Sequence, residues 1–407
     1  MRPTRSSTLL KSSQLIVSIR HLRTGILTAG SRRARMQTAA TGRSAWLGEW
    51  PLPVALVILI AGWSSKPVFA AQGAGNLAVG VAFVAFFFGA LLAAIYATHH
   101  AEHLAERFGE PYGTLMLTLS AISLEIATVV TVMLHNADNP AFGRDTMFSV
   151  VMIVLNGIIG TALLVGGLRH HEQTYNLRGA KAFLSLLIPL ATLALIWPDF
   201  TVSTGEGTLS LVQKVFLLVM SLLLYAAFLM IQTRTHTSFF VAEGEAISQP
   251  PAHPATSHGW AFHAGLLVVY LVLVVLLAKL FALPLEAGVT RLGLPAMLAG
   301  FAVAVLVLAP EGIAAIRAAR FNQMQRAMNI GLGTALSTIA LTVPAILLID
   351  LFLGRTAVLG LSAANMMMLV LTFGVSILTL GSGRTNALQG LVQLLLFFSY
   401  VVLIFSP

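Results

Sequence analysis

The stretch PYGTLMLTLSAISLEIATVVTVML, residues 111–134, carries a single charged side chain, Glu125, near its centre. A second stretch, LPAMLAGFAVAVLVLAPEGIAAI at residues 294–316, carries Glu311 in the same way. Apolar runs of about 18 residues or more are read as membrane-spanning helices. A charged group at the centre of such a helix costs on the order of 2.5–3.5 kcal/mol. The sequence therefore predicts a membrane protein whose two intramembrane carboxylates have a function.

The composition supports a membrane protein and excludes a soluble nucleic-acid-binding one. Of the 407 residues, 57% are hydrophobic and only 10% are charged, whereas soluble domains carry about 25% charged residues. The net charge of +9 lies in the N-terminal segment, because the remaining basic and acidic residues balance. Cysteine is absent, which excludes disulfides, thiolate metal sites and cysteine nucleophiles. The basic residues ahead of the first acidic residue are Arg2, Arg5, Lys11, Arg20, Arg23, Arg32, Arg33, Arg35 and Arg43.

The pattern of apolar runs predicts an all-α polytopic membrane protein with about eleven transmembrane helices. Between the runs lie short polar segments, as expected for the loops of a helical bundle. The predicted spans are 50–71, 75–98, 113–134, 146–168, 182–198, 212–231, 260–281, 294–316, 327–349, 357–380 and 386–405.

A long polar interval divides the predicted helices into two halves of five. The first transmembrane helix (48–72) precedes repeat 1 (73–231), and a cytoplasmic loop (232–258) separates repeat 1 from repeat 2 (259–407). Because each half has an odd number of helices, the second half enters the membrane in the opposite orientation. This arithmetic predicts one extra N-terminal helix plus two inverted five-helix repeats, an arrangement common in secondary transporters.

Residues 1–47 are interpreted as a basic, disordered N-terminal extension. A transit peptide and an over-long start are the alternatives. The excess of Lys and Arg in this extension and in the loops on the same side places the N-terminus in the cytoplasm and the C-terminus in the periplasm. We therefore predict a multi-pass protein of the bacterial inner membrane, embedded in the lipid bilayer, with no nucleic-acid partner.

The acidic pair suits a transported hard cation, because carboxylates, hydroxyls, amides and carbonyls supply the oxygen ligands that such ions prefer. With the cation absent, one or both carboxylates should take up protons, so metal and protons would occupy the site in turn. The prediction is a secondary active antiporter that exports Ca²⁺ and/or Na⁺, with K⁺ as a further candidate, in exchange for H⁺. It needs no resident cofactor and no enzymatic chemistry. The ion- and proton-binding residues are Glu125 and Glu311, with Thr118, Thr128, Ser149, Asn156, Thr334, Ser337, Thr338 and Glu102 as secondary candidates.

Each secondary candidate has ordinary helix packing as its alternative role, because small polar residues also mediate packing in membranes. Pro310 and Gly312, which flank Glu311, predict a locally broken helix that frees carbonyls for the ion. A passive cation channel is an alternative function for the same acidic pair.

The histidines suggest a different class of protein. His99, His100 and His103, with acidic residues nearby, resemble part of the histidine boxes of a membrane metal oxidoreductase. Such an enzyme needs several complete boxes, whereas these histidines are placed at a predicted helix end beside a charged loop. We therefore favour interfacial or pH-sensing histidines and keep the oxidoreductase as the alternative.

Several motifs together resemble the cation/calcium exchanger superfamily, and within it the bacterial calcium/sodium:proton antiporters. Residues 101–113, AEHLAERFGEPYG, followed by Glu125, look like the first alpha-repeat of that superfamily. Pro310-Glu311-Gly312, together with the segments 322–329 and 333–344, looks like the second alpha-repeat. The resemblance continues through 382–386.

The resemblance implies the inverted-repeat antiporter fold, with Glu125 and Glu311 coordinating the transported cation and exchanging it for protons. It covers about residues 75–407. One difference concerns ion choice. The wider calcium/proton exchangers have Gly-Asn ahead of each glutamate, whereas this chain has Ala121-Ile122 and Val307-Leu308. The resemblance therefore leaves room for sodium or potassium beside calcium.

Overall fold

The structure is a computed structural model that describes residues 48–70, 75–108, 112–135, 139–241, 259–354 and 356–406. Apart from one short β-ladder, the regular structure of this part of the chain is helical, which confirms the predicted all-α class. The predicted extension 1–47 and most of the predicted loop 232–258 lie outside the described residues. The described helices are α1 (Pro51–Ala70), α2 (Asn76–Phe108), α3 (Tyr112–His135), α4 (Phe142–His170), α5 (Leu177–Leu195), α6 (Leu211–Thr235), α7 (Trp260–Leu292), α8 (Met297–Arg320), α9 (Met324–Leu353), α10 (Ala363–Thr379) and α11 (Ala387–Phe405).

Each predicted span coincides with one of these helices. By length and composition, α2, α4, α5, α6, α7, α8, α9 and α11 are long and apolar enough to cross a membrane, and α1, α3 and α10 contain shorter apolar helical stretches. The predicted ends of two helices were wrong. α2 and α7 continue to Phe108 and Leu292, beyond the predicted ends. Their last turns are polar, so the apolar runs used for the prediction end before the helices do.

Helix ends are fixed by side chains that satisfy the backbone groups left free there. Asn386 caps α11 and Ser210 caps α6, each in a reciprocal capping box with a glutamine three residues later. α7 is followed by Gly293 and the α9 helix by Gly354, both in the left-handed conformation that glycine adopts readily. These caps allow short connections between long helices.

The helices form two packed groups. α2 and α7 lie along each other, with Phe83 of α2 and Phe281 of α7 at a ring-centroid distance of 5.0 Å, and α1 packs against both. α4 packs against α8 and α11, and α9 contacts α5 and α8. In α4, 83% of the most apolar stretch is buried, against 22% in α6. α4 therefore lies at the centre of the bundle, whereas α6 presents most of its apolar surface outward.

Three of the described helices contain a π-helical segment: one ends α6 (Ile231–Thr235), and the other two lie at matching places in the predicted repeats. In α4 the segment is Ile153–Ile158, and in α9 it is Thr338–Thr342. A π-helical turn bonds residue i to i+5, widens the helix and is frequent at functional sites. The two segments occupy the helix that follows each glutamate-bearing helix. This correspondence is consistent with the predicted repeat, whose boundaries stay a prediction.

One element was not predicted. Gln173–Thr174, after α4, pairs with Arg384–Thr385, before α11, in a two-residue antiparallel ladder. Arg384 Nη1 also lies 3.8 Å from Glu172 Oε1. This ladder joins the α4–α5 and α10–α11 connections at one end of the bundle. Two residues are too short for an alternating pattern to reveal a strand in the sequence.

Candidate ion site at the centre of the bundle

Glu125 lies in the middle of α3 and is only 4% exposed. Most of the surrounding residues are apolar. The helix satisfies the backbone hydrogen bonds internally, as a membrane requires. Thr128, three residues later on the same side of α3, is completely buried. Its hydroxyl oxygen has no hydrogen-bond partner. α3 therefore brings a carboxyl and a hydroxyl group into the interior of the protein.

The π-helical segment of α9 faces Glu125. The Thr342 hydroxyl donates to Glu125 Oε1 at 3.5 Å, and the Thr338 hydroxyl, which donates to the Thr334 carbonyl, lies beside the same carboxyl. Thr338 and Thr342 are both 1% exposed. The wide turn thus places two hydroxyl groups from repeat 2 beside the carboxyl group of repeat 1.

Glu311 lies in α8, and its Oε2 is buried without a hydrogen-bond partner. The helix is continuous from Met297 to Arg320 with Pro310 inside it. The predicted break at Pro310 and Gly312 is therefore wrong. Proline removes one backbone donor, but the surrounding helix accommodates the loss without a break. The irregular turns lie instead in the neighbouring helices α4 and α9.

Glu311 is next to the π-helical segment of α4. A Cβ at Gly312 would lie 3.2 Å from the Cδ1 atom of Ile158, so α8 packs closely against that segment. The arrangement mirrors that of Glu125. Each glutamate-bearing helix packs against the π-helical segment of the opposite repeat.

The two glutamate-bearing helices, α3 and α8, contact each other, and their carboxyl groups are close enough to interact electrostatically. Two buried carboxylates without a basic partner would repel each other strongly in a low-dielectric interior. A bound cation or bound protons would relieve that repulsion. The geometry can therefore hold positive charge at this place.

The other predicted residues divide into two groups. Asn156 is completely buried in the π-helical segment of α4, and its Oδ1 has no partner. Ser149 is already engaged, because its hydroxyl lies 2.6 Å from the Tyr400 hydroxyl and donates to the Asp145 carbonyl. Asn156 thus offers a free oxygen, whereas Ser149 serves helix packing.

The remaining candidates have less direct roles. Ser337 and Thr338 both donate to the backbone carbonyl of Thr334. Thr118 belongs to α3, but its side chain lies outside the described part. Glu102 is half-buried in α2. As ion ligands, Thr334, Ser337 and Glu102 stay predictions.

Two residues near Glu125 were not predicted. Thr342 donates to its carboxyl, and Tyr225, which is buried in α6, interacts with it electrostatically. Thr342 follows Thr338 by four residues and so shares a helix face with it. That spacing would have identified Thr342. Nothing in the sequence places the α6 phenol beside α3.

His100 and His263 belong to a buried polar network, whereas the interfacial or pH-sensing role of the histidines stays a prediction. His100 is 1% exposed, and its Nε2 lies 3.3 Å from Glu49 Oε2 while its Nδ1 lies 3.0 Å from His263 Nδ1. The Tyr270 hydroxyl donates to the same glutamate oxygen at 2.9 Å. These contacts join α2 and α7 to the residue that precedes α1. α2 continues to Phe108, so His99, His100 and His103 lie in its last three turns.

The histidines also do not support the oxidoreductase. Within the described ranges, no three His, Asp, Glu or Cys side chains are arranged to hold a metal ion. His99 and His103, whose Nε2 atoms are 3.2 Å apart, contact each other on the partly exposed side of α2. The network therefore links helices instead of forming a multi-histidine metal centre.

Replacing His100 with phenylalanine is expected to destabilise the protein. Phenylalanine retains an aromatic ring, although a larger one, but Glu49 loses a buried partner and the His263 Nδ1 loses its contact. Leaving a buried polar group unsatisfied costs about 1–3 kcal/mol. We expect a lower thermal unfolding midpoint in detergent for His100→Phe. The exposed His236→Phe should leave the midpoint unchanged, and equal midpoints for both variants would contradict a stabilising role for the network.

A cavity of about 240 Å³ opens at the end of the bundle where α4 begins. Arg144 there pairs with Asp145 at 2.8 Å and donates to the Gly360 carbonyl at 2.7 Å. Burial raises the pKa of the nearby Asp199 carboxyl, while the Arg144 guanidinium opposes that shift. The lining of the cavity is mixed: its polar members are Asn139, Arg144, Asp145, Ser362 and Asn365, and the others are apolar.

Eleven packed helices with apolar outer surfaces and two buried, interacting carboxylates define a polytopic α-helical membrane protein with a charged centre. The sequence profile of the sodium/calcium exchanger protein family matches residues 78–234 and 262–406. The chain belongs to this family.

Two relatives show how closely the chain resembles named proteins. A candidate ionic transporter, y4hA of Sinorhizobium fredii, is 41% identical over 294 residues, which cover 72% of this chain and 80% of the relative. The sodium-potassium/proton antiporter ChaA of Escherichia coli is 37% identical over 296 residues, with the same coverage. The relatives are transporters, not enzymes.

Solved structures share the fold. The Ca²⁺/H⁺ antiporter protein YfkE has a TM-score of 0.67 at 17% identity, and the match covers 87% of this chain and all of that one. The H⁺/Ca²⁺ exchanger CAX has a TM-score of 0.58 at 14% identity, covering 86% of this chain and 87% of that one. These similarities confirm the predicted polytopic exchanger fold with two repeats.

Proposed function

We propose that this protein is a secondary active antiporter that exchanges Ca²⁺ and/or Na⁺, with K⁺ as a further candidate, for protons. The observation that supports this most is the pair Glu125 and Glu311. Each comes from a different half of the chain, each has buried carboxyl oxygens, and the two interact electrostatically.

The surroundings of the pair suit a cation. Within the described residues, Glu311 Oε2, Thr128 Oγ1 and Asn156 Oδ1 are buried oxygens without a hydrogen-bond partner. Carboxylate, hydroxyl and amide oxygens are the ligands that hard cations take. A buried oxygen without a partner costs free energy, and a bound cation would offset that cost. We propose these three oxygens, with Glu125, as the core of the cation site.

Exchange follows from exclusive occupancy. When the cation leaves, the two carboxylates would remain as neighbouring charges in a low-dielectric interior, so they would take up protons instead. A cation that returns must displace those protons. Protons and cations therefore compete for the same oxygens, and the free energy of one gradient can drive the other ion.

The names of the relatives bear on ion identity. ChaA is named for sodium, potassium and protons, and YfkE for calcium and protons. We propose that this chain accepts both kinds of cation, because its cation site has two carboxylates for Ca²⁺ but lacks the Gly-Asn pair ahead of each glutamate. We further propose that it works in the bacterial inner membrane with a cytoplasmic N-terminus, exporting the cation.

Proteoliposomes with an imposed pH gradient test this function. With the purified protein, we expect addition of Ca²⁺ or Na⁺ to dissipate the gradient, as measured by a pH-sensitive dye. Lower pH on the cation side should raise the apparent KM, because protons compete for the site. Cation flux that moves no protons would indicate a channel, and no response to Ca²⁺, Na⁺ or K⁺ would refute the proposal.

A further inference from the structure

A row of polar side chains runs inside the bundle where α4, α10 and α11 meet, and it shares Asn156 with the proposed cation site. On α10, Thr372, Ser376 and Thr379 recur at intervals of four and three residues and so share one face. Thr372 and Ser376 are completely buried and Thr379 is 7% exposed. Together with Asn156 of α4 and Gln393 of α11, both completely buried, we call these five residues the polar seam.

Hydrogen bonds connect the members of the polar seam across the helices. Asn156 Nδ2 donates to the Thr372 hydroxyl at 2.9 Å. Gln393 Nε2 donates to the Thr379 hydroxyl at 3.0 Å and to the Ser376 hydroxyl at 3.4 Å. These hydrogen bonds form two groups, one at Thr372 and one at Ser376 and Thr379, about one turn of α10 apart.

Both amides of the polar seam have an unused acceptor. Asn156 Oδ1 and Gln393 Oε1 are buried and have no hydrogen-bond partner. An unsatisfied buried acceptor costs about 1–3 kcal/mol, and two of them in one polar seam indicate that something supplies donors. Water does this where a site is polar and offers several partners.

The composition of the polar seam selects water over a metal ion. Its five side chains are neutral, and none is a carboxylate. Beyond Asn156, along α10 and α11, a divalent cation would lack the anionic ligands that it usually takes in proteins. Hydroxyl groups, by contrast, both donate and accept, so a chain of hydroxyls and waters can pass a proton from oxygen to oxygen.

The position of the polar seam connects the glutamate site to one end of the protein. Asn156 belongs to the π-helical segment of α4, against which α8 packs beside Glu311. From there the polar seam follows α10 to Thr379, its last residue, next to the connection that leads into α11. The topology predicted from the sequence places that end in the cytoplasm.

We propose that the polar seam is a hydrated route along which protons travel between the Glu311 carboxyl and the water at the α10–α11 connection. In each step a hydroxyl or water oxygen donates its proton to the next oxygen and accepts a proton from the previous one. One proton is thereby displaced along the route, and nothing is oxidised or reduced. The assignment of the carried ion as a proton rests on the proposed antiport. The hydration itself does not.

Hydration is tested with single cysteines, because the chain contains none of its own. In Ser376→Cys, silver ion, which is about as small as water and reacts with thiolates, should reach the polar seam. The matched control is Ser399→Cys on the exposed side of α11, where the hydroxyl bonds only its own helix. In proteoliposomes we expect Ser376→Cys to lose its thiol about tenfold faster than Ser399→Cys, because thiols in lipid stay protonated.

The silver reaction is followed by counting the thiols that remain after denaturation, so it does not depend on transport. Equal rates for the two variants, or a faster reaction at Ser399→Cys, would overturn the hydrated route. If the wild-type protein fails to exchange cations for protons while Ser376→Cys still reacts quickly, the proposed function is wrong and the hydration stands.

Transport kinetics test the proton role. Gln393→Leu removes both functional groups of the amide and is expected to lower the maximal exchange rate by about tenfold, as an added barrier does, with the cation KM unchanged. Ser399→Ala should match wild type. If Gln393→Leu does not fold, Ser376→Ala takes its place with the same expectation. An unchanged rate, or a change confined to the cation KM, would overturn the proton route.

Discussion

Glu125→Gln and Glu311→Gln are each expected to abolish cation-driven proton movement in proteoliposomes. Glutamine keeps the size and shape of glutamate but removes the negative charge and cannot exchange a proton. Loss of a residue that only supports a metal ligand costs about 10–100-fold in affinity, so loss of a ligand itself should exceed about 100-fold. The pH-dye assay with Ca²⁺ and Na⁺ measures this directly.

Stability separates loss of the site from loss of the fold. Because each substitution removes a buried charge, both variants should unfold at the wild-type temperature or above it. Glu206→Gln, in the exposed α5–α6 connection, is the matched control and should transport normally. Exchange retained in both glutamine variants would refute the carboxylate site. If only one variant retains exchange, the glutamate that is still present in that variant binds the ion alone.

Gly390→Val is expected to prevent correct packing of α11 on α4. A Cβ at Gly390 would lie 2.7 Å from the Gly160 carbonyl oxygen and 2.8 Å from the Leu164 Cα. These are backbone atoms, which cannot rotate away. Overpacking usually costs about 1–3 kcal/mol, and a clash with backbone should reach the upper end of that range or exceed it. Thermal unfolding and size-exclusion chromatography in detergent would show the loss.

A second glycine provides the comparison. Gly374 lies within α10, and nothing lies within 4 Å of a Cβ built there. Gly374→Val should therefore leave the unfolding midpoint close to wild type, although valine is the same size at both positions. A similar effect of the two substitutions would show that the α4–α11 contact is looser than the structure has it.

The fold could be predicted from the sequence because one constraint dominates it. In lipid the backbone must satisfy its own hydrogen bonds, so each apolar run becomes a helix. The same constraint makes a carboxyl at the centre of such a run costly, which drew attention to Glu125 and Glu311. For these residues hydropathy alone was sufficient.

Residues whose role depends on contacts between distant helices could not be predicted in the same way. The π-helical segments leave no mark on hydropathy, so the sequence indicates that Thr338 and Thr342 share a face but not that this face meets Glu125. Ser149 and Asn156 both lie on α4, but only the structure shows that Tyr400 engages Ser149. Glu49 precedes the first helix in the sequence, and its contact with His100 requires the packing of α1 against α2.

The two longest helices have a consequence for how the protein lies in the bilayer. α2 and α7 have 33 residues each, so at about 1.5 Å per residue each is roughly 50 Å long. The hydrocarbon region is only about 30 Å thick. The pair must therefore tilt or extend about 20 Å beyond it. Bilayer thickness and headgroup composition should then influence how these two helices stand in the membrane.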